Sequence, residues 1–217
     1  PGPPDAYAAD VRDALGLGAH DLLVLQPTRI VPRKGIENAI HLIRRLKLSH
    51  AHLVISHHSG DEGHEYQRQI QQLAQDEGVS LKLFGERMAD RRQLDQQGQK
   101  IYVLSDLYPH ADLVTFPSLY EGFGNALLEA VYFRLPIVIG RYSVYQRDIE
   151  PKGFRLPVID GVIDKSTVEQ TRQILADPEY RAALVEHNYR TASRFYSYRV
   201  LRDSLRSLIN NVRNMTE

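Results

Sequence analysis

The chain has 217 residues, enough for one large domain with a well-buried core. Lys+Arg and Asp+Glu both number 27, so no net charge draws the chain to nucleic acid or to an anionic membrane, and a bound anion must be held locally. The sequence has no cysteine and no apolar run of about 18 residues, so we expect a cytoplasmic protein without disulfides, thiolate metal sites or a membrane span.

The chain begins with residues 1–19, which carry three prolines in the first four positions. This composition is typical of a linker rather than of a first strand. We therefore expect a fragment from which an N-terminal partner domain is missing.

From residue 20 to residue 195, short β-rich runs alternate with amphipathic stretches, the pattern of βα units on a parallel sheet. In chain order the pattern predicts strand 22–28, helix 36–46, strand 53–56, helix 61–77, strand 79–84, strand 113–116, helix 125–134 and strand 136–139. A long helix is predicted from residue 179 onward, with Asp177 as its N-cap and Pro178 in its first turn. The continuous apolar character of the strands suits a sheet that is covered on both faces, so we expect one α/β domain.

Two polar regions depart from this alternation. Residues 86–100 are rich in glutamine and have no β pattern, which predicts a surface loop or a short helix. Residues 196–217 place apolar side chains near helical spacing with arginines between them, which predicts a C-terminal helix whose arginines face solvent.

The strand at 113–116 leads into SLYEGFGNALLEA, residues 118–130, a glycine-rich turn followed by a helix. In an open α/β sheet, ligands bind beyond the carboxyl ends of the strands. The free backbone N–H groups of Gly124, Asn125 and Ala126 would face an anion there, and the glycines would let the backbone approach it.

Glu129 lies in this otherwise apolar helix, so its carboxylate must find hydrogen-bond donors or open onto a cleft. One turn below the helix start, it could accept two hydroxyls of a ribose. Glu121, at the mouth of the turn, could do the same for a sugar. In the simpler interpretation, Glu121 is a surface acid and Glu129 an acid favoured by the helix dipole; the glycines between them favour the binding site.

The segment RIVPRKG, residues 29–35, directly follows the first predicted strand. Arg29 stands at the carboxyl end of that strand, and Lys34 precedes the turn into the next helix. Their two positive charges could neutralise a diphosphate, which carries about two negative charges. Arg33 is predicted to face solvent, as all three would in an isolated basic loop.

Together these two segments resemble the C-terminal domain of family-four glycosyltransferases of the GT-B fold. The resemblance covers about residues 20–195, and its specific element is the pair Glu121 and Glu129, eight positions apart. It implies a Rossmann-like three-layer α/β domain with a parallel sheet, one half of a GT-B fold, plus a C-terminal helix that crosses onto the N-terminal domain. It also implies retaining transfer of a hexose from a nucleotide-diphosphate sugar such as UDP-glucose or GDP-mannose, without a metal or cofactor.

The resemblance also implies roles for single residues. Arg29 and Lys34 would bind the donor diphosphate and supply positive charge as it departs, and Glu129 would hold the ribose. Glu121 would fix the donor sugar. The further donor-binding residues are Gly122, Phe123, Gly124, Asn125 and Ala126.

The turn SHHSGDEG, residues 56–63, replaces the Gly-Asp-Gly-like turn that is usual in the family, so the resemblance assigns it no role. His57, His58, Asp61 and His64 show no defined ligand spacing and are interpreted as polar loop residues rather than a metal site.

Two further segments are expected near the donor. Tyr142, Tyr145 and Asp148 are expected to border its pocket, in a stretch that is similar to a subgroup making glycosylated glycerates or sucrose-like compounds. Residues 102–105 are predicted to contact the base.

Two other function classes stay open. A nucleotide-sugar-binding or regulatory module would need Glu129 and the cations but not Glu121, and a GT-B epimerase would not be expected to carry both carboxylates. Because the acceptor belongs to the other domain, we expect the chain alone to bind a nucleotide sugar but to transfer slowly or not at all. Without that domain, Leu205 and Ile209 could support self-association.

Overall fold

The structure is a computed structural model that describes residues 2–59 and 64–214. The strands in this part of the chain are β1 (Leu22–Gln26), β2 (Ala51–Ile55), β3 (Ser80–Leu83), β4 (Gln93–Leu94), β5 (Lys100–Ile101), β6 (Leu113–Phe116), β7 (Ile137–Gly140) and β8 (Val158–Ile159). Six of them form one parallel sheet in the order β3-β2-β1-β6-β7-β8, while β4 and β5 pair with each other in an antiparallel hairpin.

Helices cover both faces of the sheet. The α-helices in the described residues are α1 (Val11–Ala14), α2 (Ile36–Leu46), α3 (His64–Asp76), α4 (Leu104–Leu107), α5 (Asn125–Tyr132), α6 (Lys165–Ala176), α7 (Pro178–Tyr196) and α8 (Tyr198–Asn214). Val24 of β1 packs with α2, α3 and α6, whereas its neighbours Leu23 and Leu25 pack with α1, α4 and α5. Successive side chains of a strand thus enter opposite cores, which explains the continuous apolar runs. The predicted three-layer Rossmann-like α/β fold is confirmed.

The five predicted strands and the helices α2 and α5 are present; β6 and α2 have their predicted bounds, and the others are shifted by one or two residues at one or both ends. Of the predicted helix 61–77, residues 61–63 lie outside the described residues. At the predicted long helix, the Asp177 side chain accepts a hydrogen bond from the Tyr180 N–H and Pro178 occupies the first turn, as expected. Ser197 is extended, so this helix is broken into α7 and α8.

The prediction of a loop or short helix for residues 86–100 is wrong where β4 and β5 form their hairpin. Arg92, just before the hairpin, donates hydrogen bonds to Asp5 and to the buried carboxylate of Asp106. This fork links the N-terminal segment to the start of α4. Polar side chains that serve such ties give no apolar period, so the sequence pattern could not reveal them.

The N-terminal segment differs from the predicted linker in its second half. Ala8, Val11, Leu15 and Leu17 are buried in the core that contains α5. Residues 8–17 therefore belong to the domain by packing.

The helix α8 is exposed along its length in the part whose side chains are described. Four large apolar side chains on it are about half exposed: Leu201, Leu205, Leu208 and Ile209. Met215, the last residue of the predicted apolar tail, lies outside the described residues. Within the described residues, the helices are all too short or too polar to cross a bilayer.

The sheet order places β1 between β2 and β6. From β1 the chain adds β2 and β3 on one side of the sheet, and it then adds β6, β7 and β8 on the other side, so the strand order reverses between β1 and β6. In open α/β sheets the crevice at this position, beyond the carboxyl ends of the strands, binds ligands. The two loops that leave β1 and β6 meet there, since the Leu119 N–H donates to the Arg33 carbonyl at 2.9 Å. Gly35 fits against the Pro117 carbonyl in a left-handed conformation (φ +60°) that leaves no room for a Cβ.

Candidate functional site

A cavity of about 400 Å³ opens at this crevice. Seven of its lining residues are ones that the sequence analysis singled out: Lys34, Glu121, Phe123, Gly124, Asn125, Ala126 and Glu129. Of the other five, Leu104 lies in the turn 102–105 that was predicted to contact the base, whereas four were not predicted to bind the donor: Pro27, Thr28, His57 and Phe116. Residues up to 102 positions apart are thus collected at one point, because the carboxyl ends of parallel strands share an edge.

Lys34 and Glu121 form an ion pair at the floor of the cavity, through Nζ and Oε1. Both residues are buried, each with 8% of its surface exposed. A buried carboxylate and ammonium need each other, because either charge alone would be costly away from water. Nζ also lies over the ring of Phe116, 5.5 Å from its centroid. The pair holds a cation at the carboxyl end of β1 and a carboxylate at the carboxyl end of β6.

Both arginines of this loop are exposed. Arg33 faces solvent as predicted, and it also reaches Glu121 Oε2 at 3.4 Å and the Tyr120 carbonyl at 3.3 Å. Arg29, predicted to contact the diphosphate, is exposed and does not line the cavity. Its positive charge nevertheless acts on His57, which lines the cavity: burial lowers the pKa of that histidine, and Arg29 lowers it further.

Gly124 initiates α5 in a left-handed conformation with φ +93°. A Cβ there would collide with the Tyr142 hydroxyl and come within 2.8 Å of the Phe116 ring. Since no side chain caps α5, the N–H groups of Asn125 and Ala126 at its start lack an intrahelical acceptor and border the cavity. The helix start thus leaves N–H donors open toward the cavity, and anion binding there stays a prediction. Gly122 is exposed and lies outside the lining.

Glu129 extends from the apolar helix α5, whose other face is buried in the core. Its Oε2 accepts a 2.7 Å hydrogen bond from the hydroxyl of Tyr108, which is fully buried. Among the described residues, Oε1 has no hydrogen-bond partner, and the carboxylate lines the cavity. From the sequence, this carboxylate needed either a hydrogen-bond donor or a cleft. It has both, the Tyr108 hydroxyl and the cavity.

Tyr108 is the main binding-site partner that the sequence analysis missed. Burial raises the pKa of its phenol, and the charge of Glu129 raises it further, so the hydroxyl stays protonated and donates at neutral pH. The dipeptide Tyr108-Pro109 belongs to no motif, and only the fold brings it to α5.

A second cavity of about 370 Å³ adjoins the first and shares His57 and Leu104 with it. It is also lined by Val103 and Ser105, which lie in the turn predicted to contact a base. Tyr102, from the same turn, is instead fully buried and donates a 3.0 Å hydrogen bond to Asp10. Burial and Asp10 raise the pKa of Tyr102 to about 12.

The segment after β7 supports the glycine turn from behind. Tyr142 is buried and its hydroxyl donates a 2.6 Å hydrogen bond to the Phe123 carbonyl. Tyr145 is buried, and Asp148 pairs with Arg147 at the surface. None of Tyr142, Tyr145 and Asp148 lines the first cavity.

His57 lies between the two cavities, and His58 lines the second. Within residues 2–59 and 64–214, no group of three or more histidine, aspartate or glutamate side chains is placed to hold a metal ion. Asp61, which the sequence analysis weighed as a ligand, lies outside the described residues.

The geometry offers three features to one ligand. A carboxylate oxygen is open at Glu129, N–H donors are open at the start of α5, and a cation stands at Lys34. These three groups suit a ligand that carries both hydroxyls and an anionic phosphate.

Comparison with known proteins identifies the family and the fold of the chain. Residues 9–191 match the family described as Glycosyl transferases group 1. The chain is similar to the mannosylglucosylglycerate synthase of Thermotoga maritima, with 32% identity over 223 residues that cover 90% of this chain and 50% of that protein. Its fold is similar to sucrose-phosphate synthase from Thermosynechococcus elongatus (TM-score 0.71, 22% identity, 98% of this chain and 50% of the other). It is also similar to HepE from Anabaena in complex with UDP-glucose (TM-score 0.72, 15% identity, 95% of this chain and 53% of the other).

The chain therefore spans about half the length of the proteins it matches. The structural likenesses concern the fold and confirm one half of a GT-B architecture.

Proposed function

Because this chain belongs to the glycosyl transferases group 1 family, we propose that it is the donor half of a retaining hexosyltransferase that binds a nucleotide-diphosphate sugar. The observation that carries the proposal is the convergence of Lys34, Glu121 and Glu129 on one cavity, from three different elements of the fold. The proposal includes no metal or cofactor.

In this proposal the nucleoside lies across both cavities. The base occupies the second cavity, between Leu104 and Met88, and the ribose hydroxyls donate to the open oxygen of Glu129. A carboxylate already fixed by Tyr108 loses little orientational freedom on binding, which favours affinity.

The diphosphate then lies between the start of α5 and Lys34. The ammonium group keeps three N–H donors, so it can bind a phosphate oxygen while it stays paired with Glu121. Positive charge at the departing diphosphate stabilises the transition state of sugar transfer. Arg29, exposed at the rim, adds long-range attraction for the anion.

Glu121, which lines the cavity, is proposed to contact the donor sugar. It also fixes the position of Lys34, so its role combines positioning of the cation with contact to the sugar. UDP-glucose and GDP-mannose are both candidates for the donor, since HepE was solved with UDP-glucose and the Thermotoga relative is named for a mannosyl product.

The acceptor is proposed to bind to the other half of the GT-B fold, which lies outside these 217 residues. The exposed apolar face of α8 would pack on that domain, which leaves the chain alone with donor binding and little or no transfer. Unoccupied, the same face supports self-association.

Calorimetric titration of the chain with UDP-glucose, GDP-mannose, UDP, GDP and ADP tests this function. We expect saturable one-to-one binding of at least one nucleotide sugar and of its nucleoside diphosphate. A matched variant, Glu129→Ala, should lose that binding while keeping its circular dichroism spectrum. Absence of binding for all five ligands would contradict the proposal.

A further inference from the structure

The turn after β2 places His57 at the junction of the two cavities, where the proposed base site adjoins the cavity proposed to hold the ribose and the diphosphate. The imidazole is half buried and lines both spaces. This histidine lies in the one turn of the site to which the sequence resemblance gave no role.

The described part of this turn, residues 56–59, is held by backbone hydrogen bonds. The Ser56 N–H donates to the Gln26 carbonyl of β1, and the Ile30 N–H in the loop after β1 donates to the His58 carbonyl, both at 3.4 Å. Gly85 packs so closely against the turn that a Cβ on it would lie 2.8 Å from the backbone nitrogen of His58.

One ring nitrogen is already engaged. Nδ1 of His57 lies 2.7 Å from Oγ of Ser56, a fully buried hydroxyl. Among the described residues, Nε2 makes no hydrogen bond and is left for a ligand in the cavity.

Charged groups from every side act on this ring. Burial lowers the pKa of His57; the carboxylate of Glu129 opposes that shift, while the neighbouring Arg29, His58 and Lys34 add to it. These include the groups proposed to hold the ribose and the diphosphate, so the imidazole stands among them. Because this pKa lies below the ordinary value of 6.5, the imidazole without a ligand is mainly neutral at pH 7.

We propose that His57 is a ligand-binding residue that donates from Nε2 to the diphosphate of the nucleotide sugar and takes up a proton as that anion binds. This inference rests on the proposed function and deepens it. An anion beside the ring favours the imidazolium form. Since linkage is reciprocal, affinity must then increase as the pH falls through the pKa of His57 in the complex.

The nucleotide sugar is the right probe for this linkage. Its diphosphate is a diester without a titrating group near neutrality, whereas the terminal phosphate of UDP or GDP has a pKa of about 6. A pH dependence seen with UDP-glucose or GDP-mannose therefore reports on the protein.

The experiment measures the affinity of the chain for UDP-glucose and GDP-mannose at pH 6, 7 and 8. For the wild type we expect an increase of about five- to tenfold from pH 8 to pH 6. His57→Gln keeps an amide N–H donor but cannot take up a proton, so its affinity should show no increase from pH 8 to pH 6. His50→Gln, at the opposite end of β2, is the matched control and should keep the wild-type slope.

A second measurement uses the wild type alone, so it does not depend on a variant that folds. Binding heats at pH 7 in two buffers of different ionisation enthalpy give the number of protons taken up, which we expect to be a positive fraction of one. Zero uptake, or an undiminished slope in His57→Gln, overturns the role of His57 and leaves the donor site standing. Absence of binding at every pH overturns the proposed function and this inference with it.

Discussion

The hydroxyl of Tyr108 donates a 2.7 Å hydrogen bond to Oε2 of Glu129, 21 residues further along the chain. The contact joins the turn before β6 to the helix after it. Tyr108 also stacks on Phe133, with 4.9 Å between ring centroids, so the donor itself cannot move freely. One oxygen of Glu129 is thereby fixed and the other presented to the cavity.

Replacing Glu129 by alanine should weaken the binding of UDP or GDP more than replacing Glu121 by alanine. A ribose would lose hydrogen bonds to a charged acceptor, worth about 1.5–3 kcal/mol or roughly ten- to a hundredfold in affinity. Glu121→Ala removes no contact to the nucleoside and releases Lys34 for the phosphates. Calorimetric titration of both variants measures the order, and the reverse order would contradict the roles assigned to the two carboxylates.

Tyr108→Phe removes the hydroxyl that binds Glu129 and keeps the aromatic ring that stacks on Phe133. The ring and its stacking are kept, so the free energy of unfolding should fall by only about 1 kcal/mol. Nucleoside affinity should fall by a few-fold, because Glu129 loses the group that orients it. Tyr132→Phe, on the exposed side of α5, is the control and should change neither quantity.

Lys34→Ala should reduce the affinity for UDP and GDP far more than that for uridine and guanosine, because only the former carry phosphate. It also leaves the buried carboxylate of Glu121 with Arg33 alone, at 3.4 Å, so we expect a loss of about 3 kcal/mol in stability. Titration and urea denaturation measure the two effects.

A double variant, Lys34→Met with Glu121→Gln, distinguishes the loss of stability from the loss of diphosphate affinity. Without a buried charge left unpaired, its stability should be closer to wild type than that of Lys34→Ala. Its diphosphate affinity should stay low, since the cation is gone. Equal losses for phosphorylated and unphosphorylated ligands in Lys34→Ala would argue against a phosphate contact.

The sequence predicted the elements that position the site better than the contacts within it. Strand β6 has its predicted bounds, and α2 does too, because their apolar residues follow the period of a strand and of a helix. The helix α6, residues Lys165–Ala176, was missed since only a narrow stripe of it is apolar. Its N-cap, Asp164, which accepts from the Thr167 N–H, was the signal that could have revealed it.

The contacts depend on the register of the sheet, which the sequence does not display. Arg29 and Arg33 are four positions apart in one basic loop, and nothing in the sequence says which of them turns toward Glu121. Likewise, the contact of Tyr108 with Glu129 joins a turn to a helix across a strand. Conversely, the polar residue inside an apolar helix was a sufficient signal for Glu129, because burial of an unpaired carboxylate is costly in any fold.

The two glycines of the turn should respond differently to substitution, although the sequence treats them alike. Gly124→Ala puts a Cβ into the Tyr142 hydroxyl and the Phe116 ring at φ +93°, and we expect a loss of about 2–4 kcal/mol. Gly122→Ala meets nothing within 4 Å and should change stability by less than about 0.5 kcal/mol. Denaturation midpoints of the two variants, followed by circular dichroism, test the difference. Comparable losses would mean that the turn is packed differently.

The exposed helix α8 should make the chain alone self-associate. Leu201, Leu205 and Leu208 follow each other at spacings of four and three, so they form one apolar stripe, about half exposed. Burying such a stripe against a second copy removes apolar surface from water, which drives association in the absence of another partner. Sedimentation velocity should therefore show dimers or larger species at high concentration.

Leu205→Glu together with Ile209→Glu should shift this chain to the monomer, because two charges would have to be buried in the contact. Ser207→Glu adds a charge to the opposite face of α8 and should leave the association unchanged. Nucleotide binding should be the same in all three proteins, since α8 does not line the donor cavity. A monomeric wild-type profile at high concentration would contradict self-association through α8, and would leave the N-terminal domain as the proposed partner of this surface.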